Sequence, residues 1–203
     1  MKNWADLADE EMLTSTVAAL KTNNITALVV NTGMEAKQKV LELIPKGAQV
    51  MTMSSETLIA IGLTKDINES GDYDAVKPKL LKMDRATQSH EMQKLGSTPE
   101  WTVGSVHAVT QDGHTLIASN TGSQLPAYVY GSTHVIWVVG TQKIVTDTAE
   151  GMKRIYEYVL PLESARMKKV YNVPSNVSKL LIFNKEIIPN RITLIFVKEK
   201  LGF

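Results

Sequence analysis

Three short polar turns carry the residue types that could act on a small anion. The first is Ser119-Asn120-Thr121-Gly122-Ser123-Gln124, where a strand-like run feeds a glycine-containing loop and then a helical segment. That order aims free backbone N–H groups at one point, as phosphate and carboxylate sites do. The hydroxyls of Ser119, Thr121 and Ser123 would add donors, and Gly122 would let a ligand approach the backbone closely. An ordinary helix cap meets the same pattern. The turns Asn31-Thr32-Gly33 and Ser54-Ser55-Glu56-Thr57 also follow strand-like runs. They would lie at the carboxyl ends of strands, where open α/β sheets hold ligands. Only convergence of these turns would make a cleft.

Among the charged residues, Glu56 is the candidate catalytic carboxylate, because an acid at a helix start near a strand rim can serve as general base or nucleophile. The bland alternative is a first-turn glutamate that stabilises the helix dipole. Arg166 has the fork that clamps a carboxylate or phosphate, although Glu163, three residues earlier, offers it a partner along one helix. Asp112 is explained by its turn. His90, His107, His114 and His134 lack the close helical spacing of a metal pair, so no metal site is expected. His107 is either an acid or base lining a cleft or a half-buried strand histidine. Trp4, Trp101 and Trp137 are too scattered for a nucleic-acid stacking platform.

The elements that must position these residues follow from periodicity. Leu13, Val17 and Leu20 have helical spacing, while residues 25–30 form a continuous β-branched and apolar run expected of a strand covered on both faces, hence of a parallel sheet. Thr32 with Glu35, and Asp147 with Glu150, have capping-box spacing. Residues 49–53 predict a second strand, and residues 64–102 a more polar helical excursion with helices over about 75–83 and 85–95. Asp112-Gly113 between the runs 105–110 and 115–119 signals a hairpin, which makes the sheet mixed. A short helix begins near Pro126, and a buried strand spans 134–139. Pro161 is expected to break the helix that follows Asp147, and strands at 180–183 and 192–197 close the chain. The alternation predicts an α/β class: a three-layer α/β/α arrangement with a mostly parallel mixed sheet that includes one hairpin.

Composition bounds the partners. With 203 residues the chain can bury one substantial core, and a single domain over 1–203 is expected. Its 22 basic and 21 acidic residues give a formal net charge of +1, so no overall field draws it to nucleic acid or an anionic membrane. The chain has no cysteine, which excludes disulfides, thiolate metal sites, iron–sulfur ligation and a cysteine nucleophile. The start Met1-Lys2-Asn3-Trp4-Ala5-Asp6 is polar, and no apolar run approaches a membrane span; a cytoplasmic location is the expectation.

The hairpin segment from Gly104 to Gly113 and the run from Ile117 to Pro126 resemble the lactate-utilization (LUD) family. So do the runs Val138-Val139-Gly140-Thr141-Gln142-Lys143-Ile144-Val145 and Pro161-Leu162-Glu163-Ser164-Ala165-Arg166, and the tail from Asn190 to Phe203. The resemblance implies a fold similar to the ribose-5-phosphate isomerase, glucosamine-6-phosphate deaminase and CoA-transferase group, and an association with oxidation of lactate to pyruvate. Gln111 stands where many members carry an acid, and the cysteines that some members carry near the carboxyl terminus are missing. If electron transfer is needed, another subunit must hold the cluster.

The resulting expectation is a protein of lactate or related carboxylate metabolism that binds a small anionic metabolite at a rim formed by Ser54, Ser55, Asn120, Thr121, Gly122, Ser123, Gln124 and Arg166. No motif calls for a cofactor, and a homodimer is compatible with the reading. One alternative is a noncatalytic scaffold subunit of an iron–sulfur lactate-oxidising complex, which would present an exposed apolar face. Another is a sugar-phosphate isomerase or CoA-transferase-like enzyme, for which Glu56 would have to act.

Overall fold

In the computed structural model, residues 3–203 are described; Met1 and Lys2, on which part of the reading of the polar start rests, lie outside the described residues. The elements run α1 (Glu10–Thr22), β1 (Thr26–Val30), α2 (Gly33–Leu43), β2 (Gln49–Thr52), α3 (Glu56–Ala60), α4 (Leu63–Glu69), β3 (Asp74–Ala75), α5 (Val76–Lys82), α6 (Ser89–Ser97) and β4 (Trp101–Gly104). There follow β5 (Ala108–Thr110), β6 (Thr115–Ser119), β7 (His134–Gly140), β8 (Ile144–Val145), α7 (Thr148–Arg154), α8 (Leu160–Tyr171), β9 (Lys179–Phe183) and β10 (Ile192–Val197).

Among the described residues the strands form two sheets. The main sheet has the order β1-β10-β7-β4-β2-β3, and every neighbouring pair in it is parallel. Residues of β7 alternate between two cores. Val135, Trp137 and Val139 face a cluster that also takes Leu13 and Leu20 of α1 and Val109, Ile117 and Phe183 of the second sheet. Ile136 and Val138 face Ala36 and Val40 of α2, Leu58 of α3, and Leu63 and Ile67 of α4. Helices therefore cover both faces of the sheet, which is the expected α/β/α layering, and apolar runs this continuous are what two-sided burial requires. β1 departs from its expected two-sided burial: it is an edge strand, and Val29 is exposed.

The second sheet, β8-β5-β6-β9, is mixed and contains the predicted hairpin. Val109 pairs with Thr115, so Thr110 and His114 flank a three-residue loop ending in Gly113 at φ 83°. A left-handed third residue of this kind suits glycine and matches the strand twist. On the sheet's other side Ala108, Leu116 and Val145 pack against Ile155 beyond α7.

Both predicted N-caps form, and the two glutamates reach back to accept from Asn31 N and Thr146 N, one residue before each cap. Thr32 Oγ1 accepts from Glu35 N at 3.2 Å, and Asp147 Oδ1 accepts from Glu150 N at 2.8 Å. Pro161, however, does not end the helix. α7 and α8 are continuous through a π-helical turn, Ile155–Val159, in which Leu160 N donates to Ile155 O. Proline lacks the N–H that an α-helical ladder needs, and the wider turn just before it lets the chain continue without that bond.

Candidate functional site

Because β2, β4 and β7 are parallel, their carboxyl ends open on one rim. At the end of β2, exposed Ser54 accepts a hydrogen bond from Lys77 Nζ at 2.9 Å, with Lys77 in the first turn of α5. Ser55 is spent as the N-cap of α3, its side chain accepting from Leu58 N. Glu56, in the first turn of α3, lies 3.5 Å from Arg166 Nε. Glu163 holds Arg166 bidentately, with both bonds 2.7 Å. The helix pairing of Arg166 with Glu163 is thus present, and Arg166 also approaches Glu56, which the sequence did not announce. Arg166 Nη1 keeps no protein partner among the described residues.

Lys77 was not among the residues the sequence singled out. Burial lowers its pKa, and the Arg166 charge lowers it further. No carboxylate forms an ion pair with it among the described residues. Lys77 thus lies within the field of a second cation, and its side-chain hydrogen bond among the described residues goes to a serine hydroxyl. An incoming anion would relieve that repulsion.

Deeper in the rim sits Lys143, on the 3₁₀ turn Thr141–Lys143 that follows β7, with only 2% of its surface exposed. Its Nζ contacts Thr57 Oγ1 at 3.1 Å, Ser105 Oγ at 3.1 Å and Val106 O at 3.2 Å. Burial holds its pKa well below the lysine range, and nearby Arg154 adds to the effect. Arg154 is itself buried, donates to His107 O at 2.6 Å and lies over the Tyr158 ring; its Nε and Nη2 find no partner among the described protein groups. Its pKa is pushed down to about 10, chiefly by burial. A clue to Lys143 was present in the sequence as a lone cation between two buried strand-like runs.

His107 is half-buried, and its Nδ1 accepts from Ala118 N at 3.1 Å, which leaves the ring proton on Nε2. Burial, then Lys143 and Arg154, pushes its pKa down to about 3. Between that value and the unfolded value of about 6.5, the unfolded chain binds more protons than the folded one. Stability therefore falls as pH drops through this window, by up to about 1.4 kcal/mol per pH unit from this group. His107→Gln is expected to flatten the fall in melting temperature between about pH 6.5 and pH 4. An unchanged slope in the variant would remove His107 from that account.

The loop 119–124 satisfies itself. Ser119 Oγ donates to Gln124 Oε1 at 2.9 Å and accepts from Gly122 N at 2.8 Å, while Thr121 Oγ1 donates to Ser123 Oγ at 3.1 Å and accepts from Ser123 N at 3.3 Å. Asn120 accepts from Ser178, and Gly122, at φ 85°, lies against the Lys179 side chain. No hydrogen bond joins this loop to Ser54 or Arg166 among the described residues. The third turn is occupied too: Glu199 accepts from Gly33 N at 2.9 Å, so the protein's own carboxylate fills the start of α2. Three strands separate β1 from β2, placing that turn about 19 Å from Ser54 at the usual inter-strand spacing. Asp112 is hydrogen-bonded to Thr110 within its turn, as expected.

Among the described residues no group of three or more histidine, aspartate or glutamate side chains could hold a metal ion, and no helix is long and apolar enough to cross a membrane. A crystal structure of a DUF162-family protein from Deinococcus radiodurans is similar in fold, with a TM-score of 0.58 and 14% identity, over 95% of this chain and 99% of that one. No curated protein matches the chain in sequence. The family model of the LUD domain matches residues 13–197, which include every strand of both sheets, and the chain belongs to the LUD domain family.

Proposed function

We propose that this LUD-domain protein binds a small carboxylate- or phosphate-bearing metabolite, in lactate or related carboxylate metabolism, at the end of β2. The observation that carries this reading is Lys77: a partly buried ammonium that feels the charge of a second cation and forms no ion pair with an acid among the described residues. The ligand's charge sits between Lys77 Nζ and Arg166 Nη1, with the Ser54 hydroxyl as a further donor; Glu163 and Glu56 hold the guanidinium in place. Ser55 contributes only the helix cap, and the loop 119–124, bonded to itself and to Ser178, furnishes none of the charge.

The test is thermal stabilisation of the protein by lactate, pyruvate, phosphate, sugar phosphates and CoA esters, since a ligand of the folded state raises stability by RT ln(1 + [L]/Kd). Lys77→Met is expected to weaken binding of the stabilising compound about 10- to 100-fold, the worth of a charge-assisted hydrogen bond. Equal affinity in the variant would place the ligand elsewhere.

One observation favours the scaffold reading instead. None of the twelve residues of α8 is buried, and Leu162, Val170 and Tyr171 are exposed. If no compound stabilises the protein and it co-purifies with a cluster-bearing oxidoreductase, that reading replaces the first.

A further inference from the structure

The register that pairs Thr52 with Val103 carries Ser54 and Ser105 to equivalent positions on the rim, two residues past that pair. Ser105 is half-buried, and Lys143 Nζ lies behind it. Hydrogen-bond accounting assigns the Nζ protons. The carbonyl of Val106 can only accept. Thr57 Oγ1 gives its own proton to Leu201 O at 3.2 Å, so it too accepts from Lys143. Those two contacts use both N–H groups of a neutral amine, and the third direction, toward Ser105 Oγ, is left to its lone pair. The other acceptor open to the Ser105 hydroxyl, Val106 O, is farther away at 3.4 Å. Burial with no carboxylate ion pair among the described residues favours the neutral amine.

We propose that Ser105 and Lys143 form a nucleophile–base pair that takes an acyl group from an ester or thioester. Ser105 Oγ attacks the carbonyl carbon as its proton passes to Lys143 Nζ. The C–O or C–S bond to the leaving group then breaks, and Lys143 returns the proton to the departing alkoxide or thiolate. Water, deprotonated by Lys143, releases the acid and restores the serine. Thr57 and Val106 keep the amine aimed at Ser105. That the acyl donor carries a second, anionic group, held by Lys77 and Arg166, rests on the anion-binding reading above; the dyad does not.

The experiment is labelling of the full chain with an uncharged alkyl fluorophosphonate, followed by peptide mapping, alongside turnover of p-nitrophenyl acetate. One label on Ser105 is expected, at a rate that levels off well below the ordinary lysine range, where the amine has already lost its proton. Ser105→Ala should fold, at a melting temperature lowered only by the loss of one hydrogen bond to Lys143, and take no label. Lys143→Met should slow labelling about 100-fold or more; if that variant fails to fold, Ser105→Ala and the pH profile decide. Absence of label, label that survives Ser105→Ala, or a rate that climbs about tenfold per pH unit up to pH 10 overturns the dyad. Labelled Ser105 without stabilisation by any anion defeats the anion reading alone, and stabilisation without label defeats the dyad alone.

Discussion

Replacing Arg191 with Met is expected to destabilise the protein by about 3–5 kcal/mol, the cost of breaking a buried ion pair from one side. Arg191 and Glu186 are 4% and 5% exposed, and Arg191 Nη1 meets Glu186 Oε2 at 2.6 Å. Glu186 Oε1 also accepts from the backbone N–H of Ile187 and Ile188. The guanidinium further donates to the carbonyls of Ser132, Ala127 and Tyr128, which belong to the π-helical turn Ala127–Gly131 and its exit. Met fills the volume and supplies none of these donors, so a carboxylate and three carbonyls lose partners together. The damage reaches the rim, because Tyr128 on that turn directs its hydroxyl to Ser105 O at 3.5 Å. Urea unfolding measures the loss; a change below about 1 kcal/mol would mean that the pair offsets no more than its own desolvation.

Trp137→Ala is expected to cost a similar amount, about 3–5 kcal/mol. Trp137 lies on β7 with none of its surface exposed, edge-on to Tyr128 at 5.5 Å and to Phe183 at 5.8 Å between ring centres. Phe183 belongs to the second sheet, so this one ring joins the two sheets and the π-helical turn. Trp137→Phe should cost less, roughly 1–2 kcal/mol, because it keeps an aromatic ring and deletes an indole N–H that has no partner. Equal losses in the two variants, measured by urea unfolding, would contradict the packing account.

The strands that build the rim were readable from their residues. β7 and β10 are mostly apolar runs because helices or a second sheet cover both faces, and the caps of α2 and α7 depend on neighbours three residues apart. What escaped reading depends on distant partners. Nothing local distinguishes Lys77 from Lys79 in the same helix, yet Lys79 pairs with Asp74 whereas Lys77 turns toward Ser54 and Arg166. Glu56 was identifiable as an acid at a helix start and Arg166 as a guanidinium fork beside Glu163, but their meeting is a product of the crossover connections. The loop 119–124 has the composition of an anion cradle, and the same short side chains let it bond to itself. Pro161 misleads because its usual effect is absorbed one turn earlier, where no residue type announces a π turn.

That π turn also sets a phase. Each α-helical residue advances the chain by about 100°, and a π turn accommodates one residue more than the α turn it replaces. Arg154 and Arg166 are twelve positions apart, which in an uninterrupted α-helix would leave them about 120° out of step. With the extra residue of Ile155–Val159 absorbed, the offset shrinks to about 20°. One continuous helix thus presents both arginines at nearly the same azimuth, Arg154 toward the His107 carbonyl and Arg166 toward Glu56. A single-residue insertion has become a timing element that keeps the two ends of the helix in register with the rim they serve.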